Sequence, residues 1–306
     1  MSTSRYRRCI LATCCVPWSE NHDFEEVLFR KNVRHLISGG IHDLYIFGTA
    51  GEGHAVTESQ FDVITSAFLE ETQIEGVQTM VGLISPSLPI VIERIGRARD
   101  MGARRFQLTL PSWGVLNDAE LKTFFRETCA RFPDCEFLHY NLMRSGRILT
   151  GAEYGALAGE HANLVATKNS TSDEGRLRSL FTDAPQLRHF ITELGFPAAS
   201  RLGDCGFLIS FLSTNLFLAR DFFRAGCEHD SATLADMSAD FEGLISAFKD
   251  AVGGTAHMDG AFDKLFCRIH DPEFPLRLLA PYESVSLERF EHYRDLLRAR
   301  HPRWMP

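Results

Sequence analysis

Lysine is scarce in this 306-residue chain, which has five, at positions 31, 122, 168, 249 and 264, and draws most of its positive charge from arginine. No Lys/Arg-rich run is present and the formal net charge is −8, which argues against a nucleic-acid surface. No apolar stretch approaches the roughly 20 residues of a membrane span, so no membrane partner is expected. The eight cysteines, at 9, 14, 15, 129, 135, 205, 227 and 267, form no C-x-x-C pair, which excludes a zinc ribbon or dithiol centre and leaves buried free thiols. The twelve histidines lack H-x-H or H-x3-H spacing at a strand end, so no metal is expected, and His54 and His139 are read as polar-pocket or core residues. The opening "MSTSRYRRCILATCCVPW" is too short and too interrupted by Cys and Pro for a signal peptide, and a cytoplasmic location is the expectation.

What the chain does have is alternation. Short apolar runs such as "CILATC", "HDLYIFGTA" and "NLVATKNST" are followed by segments with helical spacing, and eight such units are complete by about residue 227. Thr57 reads as a helix N-cap, and Asn117 or Asp118 as another. Strands without polar alternation imply a parallel sheet covered by helices, and eight units suit an α/β fold of the closed (β/α)8 TIM-barrel type, with an open doubly wound sheet as the alternative. The expected organisation is a barrel over residues 1–230 and a C-terminal helical extension over 231–306, packed on it. The extension carries three helical patterns: "LADMSADFEGLISAFKDAV", "GAFDKLFCRI" and "LERFEHYRDLLRARH".

Three stretches carry chemistry. The second strand runs into "GTAGEG" at 48–53, whose spacing fits neither the Walker nor the Rossmann pattern. What remains is either a tight turn without a ligand or a cradle of backbone N–H groups, with the Thr49 hydroxyl, for a carboxylate or carbonyl oxygen. Four of the five lysines lie in helical, surface-type contexts, whereas Lys168 ends the sixth strand. An amine there points into the barrel mouth, where desolvation lowers its pKa and makes it a nucleophile; an ion pair with Asp173 or Glu193 is the structural alternative. Tyr140 ends the neighbouring fifth strand, within reach of that amine as a proton shuttle, and Arg144 beyond it offers a two-pronged partner for a carboxylate. A core tyrosine and a surface arginine are the plainer readings of these two.

In this order the pieces resemble the dihydrodipicolinate synthase/N-acetylneuraminate lyase family. The family's G-[TS]-[TS]-G-E turn appears as "GTAGE" at 48–52, its Y-N-x-P…R-[TS]-G element as "YNLMRSG" at 140–146, and its Schiff-base lysine matches Lys168. The resemblance implies a barrel, usually tetrameric, that needs no cofactor and forms an imine between a pyruvate-type 2-oxo acid and the lysine. It implies Lys168, Tyr140 and Thr49 as the catalytic set, with Thr49 and the N–H of Ala50 holding the 2-oxo acid's carboxylate. Gly51, Arg144, Trp113 and Glu193 join Ala50 as substrate-binding residues.

The chain also departs from the family pattern. Ala50 replaces the second turn hydroxyl, "YN" lacks its following proline, and "TELG" at 192–195 replaces S-G-D-D, leaving Glu193 as a hydroxyl or amine reader. "PSW" at 111–113 stands where the synthases carry Pro-Tyr-Tyr, and an indole N–H is only a donor, so Trp113 cannot relay a proton. Trp113 is either an apolar wall, as in the branch acting on aryl-substituted pyruvates, or a packing residue against a neighbouring subunit. The leading expectation is a class I lyase/aldolase joining or cleaving a 2-oxo acid and an aldehyde, in a homo-oligomer, dimer or tetramer. A hydratase/dehydratase or hydratase-aldolase on aryl-type 2-oxo acids using the same imine, a dihydrodipicolinate synthase, and a pocket-retaining binding protein without catalysis are the alternatives.

Overall fold

The computed structural model describes residues 5–254 and 256–306. Eight strands, β1 (Ile10–Thr13), β2 (Asp43–Ile46), β3 (Gln78–Gly82), β4 (Arg105–Leu108), β5 (Glu136–Tyr140), β6 (Leu164–Asn169), β7 (Arg188–Thr192) and β8 (Gly206–Leu208), close into one barrel in sequence order. Every pairing is parallel, including β1 with β8. Helices α1 (Glu26–Ser38), α2 (Glu58–Glu71), α3 (Leu88–Asp100), α4 (Asp118–Phe125), α5 (Gly151–Glu160), α6 (Glu174–Asp183), α7 (Phe196–Leu202) and α8 (Leu216–Glu228) follow the strands in turn. The two-residue period of a strand sorts the side chains. Leu11, Tyr45, Met80, Leu138, Ala166, Phe190 and Leu208 fill the barrel interior, while Ala12, Leu44, Ile46, Val81, Phe106 and Phe137 pack outward under the helices.

Two helix starts follow the caps expected of them. Thr57 and Gln60 form a reciprocal capping box for α2, and Asn117 rather than Asp118 caps α4, with Glu120 closing the box. Helix α4 runs on into a π-turn at Arg126–Ala130. The eighth apolar run is strand only over Gly206–Leu208, then tightens into a 3-10 turn at Phe211–Thr214. The first pattern of the extension divides into α9 (Ser231–Ser238) and α10 (Phe241–Val252), followed by α11 (Asp259–His270) and α12 (Leu287–Arg300). The extension shares the barrel's core rather than building its own: Phe241 meets Phe222 of α8 edge to face at 5.3 Å and Phe211 at 5.2 Å. All eight cysteines are free, six of them buried. Among the described residues no helix is long and apolar enough to cross a membrane.

Candidate active site

A cavity of about 480 Å³ opens at the carboxyl ends of the strands, the face on which β/α barrels place their chemistry. Lys168 stands in its wall because the strand period puts it there: Ala166 points into the barrel, and two residues on the amine must point the same way. Tyr140, two residues beyond the inward Leu138, pairs with Lys168 in the β5–β6 register. The Lys168 Nζ lies 3.9 Å from the centre of the Tyr140 ring and donates to the Tyr45 hydroxyl at 2.9 Å. The residue is 5% exposed, and burial lowers the amine to about 8, against the opposing fields of Asp259 and Asp263. Asp173 and Glu193, the alternative ion-pair partners, are engaged elsewhere. Asp173 accepts from the Arg176 N–H at 2.8 Å to cap α6, and Glu193 accepts from the amides of Ser210 and Leu212 at 2.5 and 3.2 Å.

Burial and the Asp259 charge push the Tyr140 phenol up to about 12, while Arg144 and the hydroxyls of Ser170 and Thr49 pull it back. Thr49 Oγ1 is buried and forms no hydrogen bond with the described residues, although it stands near enough to the phenol to favour its ionised form. Ala50 lines the cavity, and Gly51 and Gly53 allow the turn to close on the chain below it. A Cβ on Gly51 would sit 2.7 Å from the Phe47 nitrogen, and one on Gly53 would collide with the Phe47 carbonyl. Phe47 and Glu52 themselves hold positive φ angles of 57° and 55°, so backbone strain gathers at this turn.

Glu52 turns inward from the same loop. Its carboxylate accepts from Trp18 Nε1 at 2.8 Å, from the Leu279 N–H at 2.7 Å and from Lys264 Nζ at 2.5 Å. Lys264 therefore corrects the expectation of a surface lysine. It is 0% exposed, and its amine also donates to the Arg277 carbonyl. The helical pattern of α11 was legible in the sequence, but the side that faces the barrel was not.

The remaining expected site residues divide. Arg144 lines the cavity, with its guanidinium engaged by Asp259. Glu193 is buried behind the wall, where burial raises its carboxyl to about 7 against the bonds from Ser210 and Leu212, and it holds the Ser210 loop that lines the cavity. Trp113 is 94% exposed and lies outside the cavity lining, so within one chain the indole is not a wall of the site. Sequence reasoning missed Tyr45, Asp259 and Asp263. Tyr45 is an inward polar residue in an apolar strand, a signal that was available. The two aspartates are four apart on α11 and both reach the cavity, a spacing that places them on one helix face. Asp263 is buried, and desolvation, with the neighbouring Asp259 and Glu193 charges, raises its carboxyl to about 8 against the pull of Lys168.

The arrangement unites a desolvated amine, a phenol in contact with it, and a turn of amides in one open cavity. Residues 7–187 match the Dihydrodipicolinate synthetase family. A 4-hydroxy-tetrahydrodipicolinate synthase from an Exiguobacterium species is 24% identical over 177 residues, 58% of this chain and 60% of that protein. The Thermus thermophilus enzyme of the same name is 27% identical over 162 residues, 52% of this chain and 54% of its own length. The chain thus spans little more than half the length of these curated relatives. Among solved structures, a prophage protein of the dihydrodipicolinic acid synthase family from E. coli K12, in complex with pyruvate, superposes with a TM-score of 0.82 at 16% identity, covering 95% of this chain and 98% of that one. The N-acetylneuraminate lyase of Proteus mirabilis gives 0.83 at 16% identity, covering 96% and 98%. At such identities the likeness is one of fold. With 181 residues of profile match (7 through 187) lying across the strands that carry the turn, the tyrosine and the lysine, this chain belongs to the Dihydrodipicolinate synthetase family.

Proposed function

We propose that the protein is a class I lyase that joins or cleaves a carbon–carbon bond through an imine between Lys168 and pyruvate or a related 2-oxo acid. The observation that carries this reading is the Lys168 amine, buried at a strand end, lowered to about 8, and open to a cavity rather than locked in a salt bridge. A neutral amine attacks the keto carbon, the carbonyl oxygen leaves as water, and the resulting cationic imine draws electrons from C3. Loss of a C3 proton gives an enamine, whose carbon bonds to the aldehyde carbon while the aldehyde oxygen takes up a proton. Water then returns the amine and releases the product; cleavage is the reverse. Tyr140 is the proton carrier beside the amine, because its ring packs against Lys168 and its hydroxyl neighbours Thr49 and Ser170. The donor carboxylate rests on the Thr49 hydroxyl and the amides of Ala50 and Gly51, a cradle that supplies directional hydrogen bonds without a cation. The working form is a homo-oligomer, with Trp113 at the contact between copies rather than at the substrate.

Sodium borohydride with pyruvate should add one reduced adduct to the intact mass of the wild-type chain and none to Lys168→Ala. A pyruvate-independent mass in the wild type would sink the imine. Product analysis with pyruvate and a panel of aldehydes separates bond formation from a hydratase outcome on the same imine.

A further inference from the structure

Besides Lys168, the acidic and basic side chains lining the cavity are Arg144, from the segment after β5, and Asp259 and Asp263, from one face of α11. Arg144 is the cation best placed to receive an acceptor's carboxylate, but its fork is taken. Nη2 meets Asp259 Oδ1 at 3.0 Å and Nη1 meets Oδ2 at 3.5 Å, a two-pronged pair of the kind guanidinium forms with a carboxylate ligand. Both side chains remain partly exposed, at 43% and 35%, so the pair is a weak lock and a ligand could part it. What opposes a carboxylated ligand is the charge left behind. A displaced Asp259 would stand, stripped of its counter-ion, in the same cavity as the incoming carboxylate, two like charges facing one another.

We infer that Asp259 is a specificity-determining residue that occupies Arg144 from within the chain and makes the acceptor site refuse carboxylate-bearing aldehydes in favour of uncharged, hydroxylated ones. Asp259 and the exposed face of the guanidinium offer acceptors and donors to hydroxyl groups, so a hydroxyaldehyde can bind without parting the pair, whereas an aldehyde acid cannot. The inference rests on the proposed imine chemistry, since it concerns the partner that the enamine attacks.

The test compares glyceraldehyde with succinic semialdehyde as acceptors for pyruvate, in the wild type, Asp259→Asn and Asp259→Glu, after borohydride trapping has shown the pyruvate adduct in each. The wild type should prefer glyceraldehyde. Asp259→Asn frees Arg144 and should move the ratio of specificity constants toward succinic semialdehyde by roughly 10- to 200-fold, the usual range for one discriminating contact. Asp259→Glu keeps a carboxylate on the fork and should keep the wild-type preference, which a merely structural role for Asp259 would not require. An adduct with an unchanged ratio in Asp259→Asn, or a wild type that prefers the semialdehyde acid, overturns this inference alone. Failure of the wild type to form any adduct overturns the imine reading, and this inference with it.

Discussion

At the scale of single residues, the proposed imine chemistry is divided between Lys168 as nucleophile and Tyr140 as proton carrier. The attacking species is the neutral amine. With burial lowering the group from 10.5 to about 8, its free-base fraction should climb tenfold per unit as pH rises toward 8 and then level off. Imine formation followed by rapid quench should therefore show a midpoint near 8; a midpoint near 10.5 would mean that the amine is hydrated in solution and the cavity does not tune it. Tyr140→Phe removes one hydroxyl from a ring that still packs against the amine, so pyruvate capture should survive while turnover falls by roughly 10²- to 10⁴-fold. A loss confined to KM would make Tyr140 a binding residue. Both positions were legible in the sequence, because strand-end location and two-residue periodicity fix where such side chains point. Asp259 and Asp263 were not: helical spacing puts them on one face of α11, but which face meets the barrel depends on contacts more than a hundred residues distant, such as Arg144 with Asp259.

At the scale of elements, the Glu52–Lys264 pair fixes α11 to the "GTAGEG" turn. Both side chains are buried, and the carboxylate has three protein donors, from α11, Trp18 and the Leu279 amide, so the turn and the helix that carries Asp259 and Asp263 are held by one node. Removing one partner leaves a charge buried without its counter-ion, which typically costs about 3–5 kcal/mol, whereas exchanging both for apolar residues of similar size costs far less. Lys264→Ala should accordingly lower the urea midpoint sharply, and Glu52→Gln with Lys264→Met, which removes both charges but leaves an amide oxygen for Trp18 and Leu279 to donate to, should recover much of the loss. If the double replacement is as unstable as the single, the pair is not what holds the two elements together. The "GTAGE" stretch announced a turn at the active face; the Phe47 backbone beneath it explains Gly51, and the Tyr45 ring explains Gly48. The glutamate's role was hidden, because a buried acid is recognisable only once its distant lysine is known. The barrel helices, defined by their own local periods and in α2 and α4 by their caps, were readable, while the division of the extension into α9 and α10 was not marked by Gly or Pro.

At the scale of the whole molecule, an apolar surface beside the active face is left uncovered by the described residues. Trp113 is 94% exposed, and Val115 and Met143 are also exposed, on two loops joined where Arg147 Nη1 donates to the Leu116 carbonyl at 2.8 Å. Met143 also lines the cavity, so this surface borders the active face. A large indole left in water beside other apolar side chains marks a contact surface more readily than a substrate wall. The two alternatives the sequence left open for Trp113 therefore make opposite forecasts. If a second copy covers the indole, Trp113→Asp places a charge in that contact, and sedimentation velocity should show a smaller species that appears at higher protein concentration than for the wild type. The ratio of specificity constants for benzaldehyde over glyceraldehyde should then stay within about twofold, far below the roughly 10- to 200-fold that a discriminating substrate contact is worth. An unchanged sedimentation coefficient with a collapse of that ratio would put the indole against the acceptor instead, carried there by a loop position other than the one described, and would return the aryl-pyruvate reading to the front.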